Sequence, residues 1–471
     1  MLKPVQKTNP TLAHQHGSTR DRYDAGRAQR ELVPLAAQSE VPTDADRTDP
    51  LAILQAQDTA RLPEIVPLRY GRMSRTPFTF LRGAAAVMAS DLAAQPRTDL
   101  WVELCGDAHL GNFRWYNAPD RRAVFDLNDF DETLPGPFEW DVKRLAASIV
   151  VSGRNRGFSP EKCRAAAQAA MRDYRMFIAE ASKLSPLDLH YYRFELDAVL
   201  ERIEKRGKKH RKWKEEIASK AARKTSMRAL DRLTDIVEGR RVIVPDPPRV
   251  LRMDERLAAG KYGGVEGFLN RYRKTLPLDR RILFDRFSLV DVAKKVVGVG
   301  SVGTRCVIAL LESDDRTPLF LQAKQAVPSV LEPHLGASAF KQSGQRVVEG
   351  QRLIQATSDI FLGWATWTPR KGEKVDFYVR QLWDGKGKVD VEALSPKRLA
   401  AFAGLCGKTL AFAHARSGDA MTIRGYIGED DEFENVMVDY AERYADLTDR
   451  DHARLTAAIA DGAVEVDLEE N

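Results

Sequence analysis

Cysteine and histidine are scarce in this chain of 471 residues, which contains four cysteines and eight histidines. The cysteines (Cys105, Cys163, Cys306 and Cys406) lie far apart and form no CxxC pair. Structural zinc sites and disulfide frameworks depend on closely spaced or paired cysteines, so the sequence predicts neither. We expect four reduced thiols in a cytoplasmic protein.

Long apolar runs are also missing. No stretch reaches the roughly 20 apolar residues that a membrane-spanning helix requires, and the N-terminal segment has no hydrophobic region typical of a secretion signal. The net charge of +6 is small for this length and does not by itself indicate nucleic-acid binding. The sequence therefore predicts a globular protein with no membrane partner, long enough for two or three packed lobes.

Positive charge is concentrated in one segment, residues 201–250, which has 16 Lys and Arg against 8 Asp and Glu. Such a segment usually forms a solvated helix face with pairs of opposite charge. A surface for phosphates or nucleic acid is the alternative, and steeply salt-dependent binding to DNA or RNA would be its signature. We expect the solvated face, so no nucleic-acid partner is predicted.

Carboxylates and amides are concentrated between Leu104 and Thr133, in the stretch LCGDAHLGNFRWYNAPDRRAVFDLNDFDET. A short predicted strand, WVELC, precedes a glycine-containing loop with Asp107 and Asn112, and a second strand, RAVFDLN, leads to Asp129. If the two strands pair as a hairpin, they bring these three side chains together. Carboxylate and amide oxygens suit Mg²⁺, and a further carboxylate can accept the proton of an attacking hydroxyl, so the trio suits phosphoryl transfer.

The same residues resemble those of a known group of enzymes. GDAHLGNF is similar to the HGDLHxxN catalytic loop of aminoglycoside phosphotransferases and other small-molecule kinases of the protein-kinase-like fold, and DLNDFDET is similar to their metal-binding segment. The resemblance implies Asp107 as the proton acceptor and Asn112, Asp129 and Asp131 as the residues that hold Mg²⁺. Asp129 aligns best with the metal ligand, and Asp126 or Asp131 could share its role.

Three further positions are implied by this resemblance. His109 corresponds to the second histidine of the catalytic loop and is a candidate catalytic residue, although a hydrogen bond within the loop is the simpler role. Cys105 stands where those enzymes have the first histidine, so the resemblance implies no role for it. Asp141, in PGPFEWDVKRLA, corresponds to the aspartate that braces the catalytic loop.

Over most of its length the chain resembles the bacterial family called domain of unknown function 2252. The segments that carry this resemblance are GDAHLGNF, FDLNDFDE and AHARSGD. The resemblance implies a fold relationship and no particular substrate.

The order of the segments departs from the kinase pattern. A kinase has its glycine-rich loop and strand lysine before the catalytic loop, but residues 1–100 supply neither. Both occur about 190 residues after the catalytic-loop segment, as Gly298, Gly300, Ser301 and Gly303 in VVGVGSVG and as Lys324 in LFLQAKQA. The resemblance and this order together predict a circularly permuted kinase-like fold.

The GxGxxG spacing of these glycines also occurs in dinucleotide-binding βαβ units. Such a unit requires a helix directly after the glycines and an acidic residue at the end of the next strand. Here the β-branched segment TRCVIALLES follows, and a lysine lies near the end of the next strand. We therefore expect a strand–turn–strand that covers ATP phosphates. A dinucleotide site and a plain structural hairpin remain as alternatives.

A kinase lysine requires an acidic partner on a helix, which holds it toward the phosphates. Glu349, in SAFKQSGQRVVEGQRLIQATSD, is the candidate partner of Lys324, and Glu332 is the alternative. The strand FYVRQLW, near Val379 to Leu382, is the candidate for contacts with adenine.

The predicted fold class is α+β, with two lobes. We expect a flexible arm at residues 1–55, a helical large lobe with the catalytic loop at 56–283, a strand-rich nucleotide-binding lobe at 284–390 and helices that complete the large lobe at 391–471. With ATP and Mg²⁺ between the lobes, the resemblance implies transfer of the γ-phosphoryl group to the hydroxyl of a small molecule. An inactive nucleotide-binding pseudokinase, and less favourably a nucleic-acid-associated protein, are the alternatives.

Overall fold

The computed structural model describes residues 17–196, 230, 233–247, 250–253, 264–296, 302–368, 373–382 and 387–468. Most of the basic segment, together with Gly298, Gly300 and Ser301, lies outside these ranges. Within them the fold is α+β, as predicted. No helix in these ranges has the length and apolar character needed to cross a bilayer.

The described helices are, in chain order, α1 (Thr19–Leu32), α2 (Pro50–Asp58), α3 (Val66–Met73), α4 (Pro77–Gly83), α5 (Ala85–Ala93), α6 (Glu139–Asn155), α7 (Pro160–Ala181), α8 (Pro186–Tyr191), α9 (Gly264–Arg273), α10 (Leu278–Phe284), α11 (Glu332–Leu335), α12 (Ser343–Ile354), α13 (Pro396–Ser417), α14 (Ala420–Ile427) and α15 (Glu432–Ala460).

The described strands are β1 (Trp101–Leu104), β2 (Phe113–Asn117), β3 (Ala123–Leu127), β4 (Leu134–Pro137), β5 (Phe194–Glu195), β6 (Thr234–Val237), β7 (Arg240–Ile243), β8 (Val250–Arg252), β9 (Phe287–Lys295), β10 (Cys306–Ser313), β11 (Pro318–Ala326), β12 (Gly363–Trp367), β13 (Val375–Gln381) and β14 (Gly387–Lys388).

A six-stranded antiparallel sheet in the order β12-β13-β11-β10-β9-β8 is the centre of what we call the sheet unit. Because side chains alternate along a strand, the sheet has two different faces. Leu321 and Phe377 lie on the face that packs against α9 and α10. Lys324 and Tyr378, which are paired across β11 and β13, lie on the other. The strands β9 and β10 are antiparallel neighbours, so the glycine segment joins two strands and does not lead into a helix, as a βαβ unit would require.

The helices α6, α7, α13, α14 and α15 form what we call the helical unit. α6 is buried at 15 of its 17 residues, which is typical of a helix in the centre of a bundle. α13 packs along α7, and α15 packs against α6. A side chain at Gly407 would overlap the backbone of Ala170, so glycine permits the close approach of α7 and α13. Residues 396–460 therefore pack directly on the helices that follow the acid-rich stretch.

Two predicted boundaries differ from the structure. The flexible arm predicted at 1–55 is not present at residues 17–55, where α1 begins at a capping box formed by Ser18 and Asp21 and packs against α14. A side chain at Gly26 would overlap the backbone of Thr422, so this contact is tight. The predicted boundary between lobes at residue 283 lies too late, because β8, α9 and α10 all pack with the sheet unit.

The predicted hairpin of WVELC with RAVFDLN is wrong in its pairing. β1 pairs with β4, and β3 pairs with β2. The residues Phe113–Asn117, which sequence reasoning left in the loop, form the strand next to β3. The loop and the end of β3 are nevertheless close, because β2 starts directly after Asn112 and Phe113 pairs with Leu127.

Candidate functional site

The loop between β1 and β2 is held at its start by Asp141, in the first turn of α6. The two carboxylate oxygens of Asp141 accept hydrogen bonds from the backbone N–H groups of Cys105 and Gly106, at 2.7 and 3.0 Å. Gly106 has φ +78°, and a side chain there would overlap the backbone of Glu132. Asp141 thus contacts the loop in the way that its resemblance to the bracing aspartate implies.

The amide of Asn112 joins this loop to the segment that follows β3. Its Nδ2 donates to the backbone oxygens of Asp107 and Asp129, both at 3.0 Å. Because these bonds fix the orientation of the amide, Oδ1 points away from both carbonyls. Among the described residues, Asn112 Oδ1 is buried without a hydrogen-bond donor. Asp129 Oδ1 is also buried, and its nearest cation is Lys324, with Nζ at 3.5 Å. An amide oxygen without a donor and a carboxylate on a segment bonded to it are suited to hold a cation.

The carboxylate of Asp107 is oriented by Arg144. Oδ1 accepts hydrogen bonds from Nε and Nη2 of Arg144 at 2.9 and 2.7 Å, and Nη2 also donates to Leu81 O. The Asp107 side chain is 22% exposed. Burial raises the pKa of Asp107 to about 7, against the opposing effect of Arg144. A carboxylate with a pKa near neutrality is suited to accept a proton.

His109 makes the hydrogen bond within the loop that was one of its two predicted roles. Its Nδ1 accepts from Gly111 N at 3.0 Å, and its Nε2 lies 3.7 Å from Asp107 Oδ2. The acid–base role of His109 stays a prediction.

Lys324 reaches the acid-rich segment from β11, 193 residues further along the chain. Its Nζ lies 2.7 Å from Asp131 Oδ2 and 3.5 Å from Asp129 Oδ1, and Tyr378 donates its hydroxyl to Asp131 Oδ1 at 2.6 Å. Burial alone would lower the pKa of Lys324, but the charges of Asp129 and Asp131 raise it well above its usual value. The two distant segments therefore meet in one site.

The surroundings of Asp129 shift its pKa in the direction opposite to the shift at Asp107. Burial alone would raise the pKa of Asp129, but the positive charges of Lys324, Arg380 and Arg114 outweigh it and lower the pKa below its usual value. Asp129 is thus a carboxylate over the whole neutral range. Carboxyl groups whose pKa values are pushed apart in this way are typical of sites where one acts as a base and the other as a fixed charge.

The helix α12 does not supply the acidic partner that was predicted for Lys324. Glu349 forms an ion pair with Arg352 at 3.2 Å, and Glu332, the alternative, lies 3.9 Å from Arg346. The partners of Lys324 come instead from the segment after β3, because Asp131 projects between β11 and β13.

What α12 does supply to the site is Arg346. Its guanidinium donates to the backbone oxygens of Thr133 at 2.6 Å and of Asp131 and Val327 at 2.8 Å. One buried cation thus fixes the backbone on both sides of the site. Its position in α12 gave no local signal in the sequence.

Two other predicted residues, Asp126 and Gly303, accept hydrogen bonds from backbone N–H groups. Both oxygens of Asp126 are occupied, by the backbone N–H groups of Leu127 and Ala356, so Asp126 does not face the cation position. Gly303, with φ +94°, accepts a hydrogen bond from Leu62 N through its carbonyl at 2.8 Å. The other members of the glycine motif lie outside the described residues.

Sequence reasoning missed four arginines of the site, Arg82, Arg114, Arg144 and Arg380. Arg144 could have been found, because it lies three residues after Asp141 on one helix face. Burial lowers the pKa of Arg82 and Arg114, although Asp129 acts on both in the opposite direction. No group of three or more His, Cys, Asp or Glu side chains in the described ranges has a metal-binding arrangement.

The chain was compared with protein families, curated proteins and solved structures. Residues 61–458 match the model of the family described as "Uncharacterized protein conserved in bacteria (DUF2252)". No curated protein and no solved structure matches the chain.

Proposed function

The chain belongs to this bacterial DUF2252 family, and we propose that it is an ATP- and Mg²⁺-dependent phosphotransferase with a permuted kinase-like arrangement. Its reaction transfers the γ-phosphoryl group of ATP to a hydroxyl of a small molecule. The observation that carries the proposal is the contact of Lys324 with Asp131 and Asp129, at 2.7 and 3.5 Å. This contact joins the two segments that resemble kinase parts, although they lie 193 residues apart.

The residues that would hold Mg²⁺ are Asn112, through its buried Oδ1 without a donor, and Asp129, through the carboxylate that lies 3.5 Å from Lys324. Phosphate oxygens of ATP would supply further ligands, which suits a cation that is usually bound by one or two carboxylates plus substrate. When bound, Mg²⁺ neutralises charge on the transferred phosphoryl group. The low pKa of Asp129 supports this role, because the ligand stays ionised.

Asp107 is the proton acceptor in this proposal. The O–H bond of the acceptor breaks and its proton passes to Asp107, while the hydroxyl oxygen forms a bond to the γ-phosphorus. The bond from that phosphorus to the bridging oxygen breaks, and ADP leaves with the electron pair. Arg144 orients the accepting carboxylate, and Lys324, kept protonated by its neighbours, contacts the phosphates of ATP.

A binding experiment tests the joined site. Thermal unfolding of the full chain is followed with ATP–Mg²⁺, NADH or NADPH, in wild type, Lys324→Met and Asp129→Asn. A ligand at 100 times its dissociation constant should stabilise wild type by about 2.7 kcal/mol, and we expect this only with ATP–Mg²⁺. Both variants should lose the response, while Lys341→Met, an exposed lysine of the sheet unit, should keep it. Thermal stabilisation by NADPH alone would contradict the proposal.

A turnover experiment separates an active enzyme from a pseudokinase. We expect Asp107→Asn to bind ATP–Mg²⁺ as wild type does but to lose ATP turnover by at least about 100-fold, since general-base catalysis contributes that much. Asp315→Asn, in an exposed turn, should turn over ATP normally. Equal turnover in Asp107→Asn and wild type would show that Asp107 is not the proton acceptor.

A further inference from the structure

Three guanidinium groups surround Asp129 without forming an ion pair. Arg82, Arg114 and Arg380 all act on the charge of Asp129, but among the described residues no carboxylate oxygen lies within 4 Å of any of them. The Nε atom of each is buried without a hydrogen-bond acceptor in the described ranges. The three side chains are partly exposed, so a ligand can reach their terminal nitrogens, and no carboxylate of the described residues neutralises them. Such a cluster of positive charge is suited to bind an anion.

Arg82 and Arg114 belong to the catalytic-loop side of the site. Arg82 lies in the last turn of α4, and its Nε would be 3.8 Å from a side chain at Gly111. Arg114 is the second residue of β2, two positions after Asn112. Arg380 lies on β13 opposite Gln322 of β11, so it belongs to the sheet unit, and it donates to Asn128 O at 2.9 Å.

Arg82 lies toward the proposed proton acceptor. Asp107 is the carboxylate that acts most strongly on the charge of Arg82, followed by Glu392 and Asp129. In the proposed reaction the acceptor hydroxyl lies beside Asp107, and the ATP phosphates lie beside Lys324. Arg82 is therefore in reach of the acceptor, and Arg114 is close enough to Arg82 for the two charges to act on each other. Their planar N–H groups match the oxygens of a phosphate or a carboxylate.

We propose that Arg82 and Arg114 bind an oxyanion of the acceptor, so that the substrate is a hydroxyl compound with a phosphate or carboxylate group. This inference rests on the proposed function for the identity of the acceptor. The anion site itself rests on the two unpartnered arginines. The inference also predicts that the site discriminates against neutral and cationic alcohols as acceptors, because these would leave both guanidinium groups without a partner.

The experiment uses inorganic phosphate as the probe. Binding of phosphate to the full chain is measured by calorimetry, alone and with saturating Mg²⁺ and an ATP analogue whose β–γ bridge is a non-hydrolysable imido group. Because the analogue fills the triphosphate position, phosphate that still binds must occupy another position. Acetate replaces phosphate in a parallel series, which distinguishes a phosphate site from a carboxylate site.

Arg82→Gln and Arg114→Gln should each weaken phosphate binding by at least about tenfold and leave analogue binding within about twofold. Arg114→Lys keeps the charge and should retain part of the phosphate affinity, which guards against loss of folding as the explanation. The matched control is Arg20→Gln with Arg172→Gln, which removes two exposed positive charges elsewhere. This control should bind phosphate as wild type does.

Each contrary result has its own meaning. If phosphate and acetate do not bind when the analogue is bound, the acceptor-anion site is overturned, while the proposed function survives. If both glutamine variants lose analogue binding instead, the arginines serve ATP and the inference is wrong. If the analogue does not bind at all but phosphate binds through Arg82 and Arg114, the anion site stands and the proposed function falls.

Discussion

Asp107 and Asp129 lie on either side of Asn112, which donates to the backbone oxygen of each. Burial dominates at Asp107 and raises its pKa to about 7, even though Arg144 donates two hydrogen bonds to it. At Asp129 the charge of Lys324 and two arginines outweighs burial and lowers the pKa. One residue is thus prepared to take up a proton and the other to keep its charge.

The pKa of Asp107 gives a pH dependence for turnover. Since only the carboxylate accepts a proton, the rate should be lost as pH falls through the pKa and should be constant above it. We expect kcat/KM for ATP, which reports the free enzyme, to be about tenfold lower at pH 6 than at pH 8, with a midpoint near 7. Initial rates of ADP formation between pH 5 and 8.5 measure it.

The variant Arg144→Lys supplies a comparison for this profile. It keeps a positive charge near Asp107 but loses the paired hydrogen bonds of the guanidinium. Its midpoint should move to higher pH, because the carboxylate form loses donors. A profile that is flat from pH 5 to 8.5 in wild type would contradict Asp107 as the base.

At the residue scale, the sequence predicted which segments form the site better than it predicted which side chains contact each other there. GDAHLGNF and DLNDFDET are local motifs, and Asp107, Asn112 and Asp129 do lie together. The partner of Lys324 was predicted to be Glu349 on the next helix, but the structure pairs Lys324 with Asp131. That choice depends on how two distant segments pack, and no local pattern records it.

Among the described elements, α12 connects the sheet unit to β1 and to the acid-rich stretch at the site. It packs against β11, β12 and β13 and also against β1. Arg346 bonds backbone oxygens of the acid-rich stretch and of Val327, which follows β11, and Gly350 lies directly against Thr133 and Glu103. A side chain at position 350 would overlap Thr133, so glycine is required there by packing.

We expect Gly350→Ala to lower the free energy of unfolding by about 1–3 kcal/mol, because the new methyl group overlaps Thr133 and pushes α12 away. The matched control is Gly267→Ala in α9, where the methyl group would meet only Arg271 Nη1 at 3.5 Å. That change should stabilise by up to about 1 kcal/mol through helix propensity. Urea unfolding of both variants measures the difference, and equal effects would refute the packing argument.

The elements themselves were predictable where their pattern is local. The strands β9, β10 and β11 follow from β-branched and apolar runs, and α13 follows from helical spacing after Pro396. The prediction missed the pairing of β1 with β4, which lies in the part of the fold where β1 also packs against α12 and α13, and no local pattern in the strand sequences records these long-range contacts. The strand β2 was missed because FRWYN is short and lies within a loop-like stretch.

On the scale of the whole molecule, the last helices support the acid-rich stretch. Nδ1 of His414, in α13, lies 2.8 Å from the hydroxyl oxygen of Tyr174, in α7. Nε2 of the same ring lies 3.5 Å from Asp141 Oδ2. Asp141 in turn holds the loop that carries Asp107. A chain of contacts therefore runs from residue 414 to the candidate base.

A double-mutant cycle on His414→Leu and Tyr174→Phe tests this connection. Each change should cost about 1 kcal/mol of unfolding free energy, and the pair should show a coupling of similar size, because the two groups share one buried hydrogen bond. Tyr174→Phe combined with the remote Gly267→Ala should instead be additive. Additivity in both cycles would mean that the bond does not stabilise the fold.

The late position of α13 and α15 also has a consequence for the newly made chain. Their partners α6 and α7 leave the ribosome first, and 214 residues lie between Ala181 and Pro396. At translation rates of about 5–20 residues per second, the apolar faces of α6 and α7 stay exposed for about 10–40 s before α13 can pack on them. We therefore expect nascent chains to need chaperone protection during this interval, as a result of the order in which these helices occur along the chain.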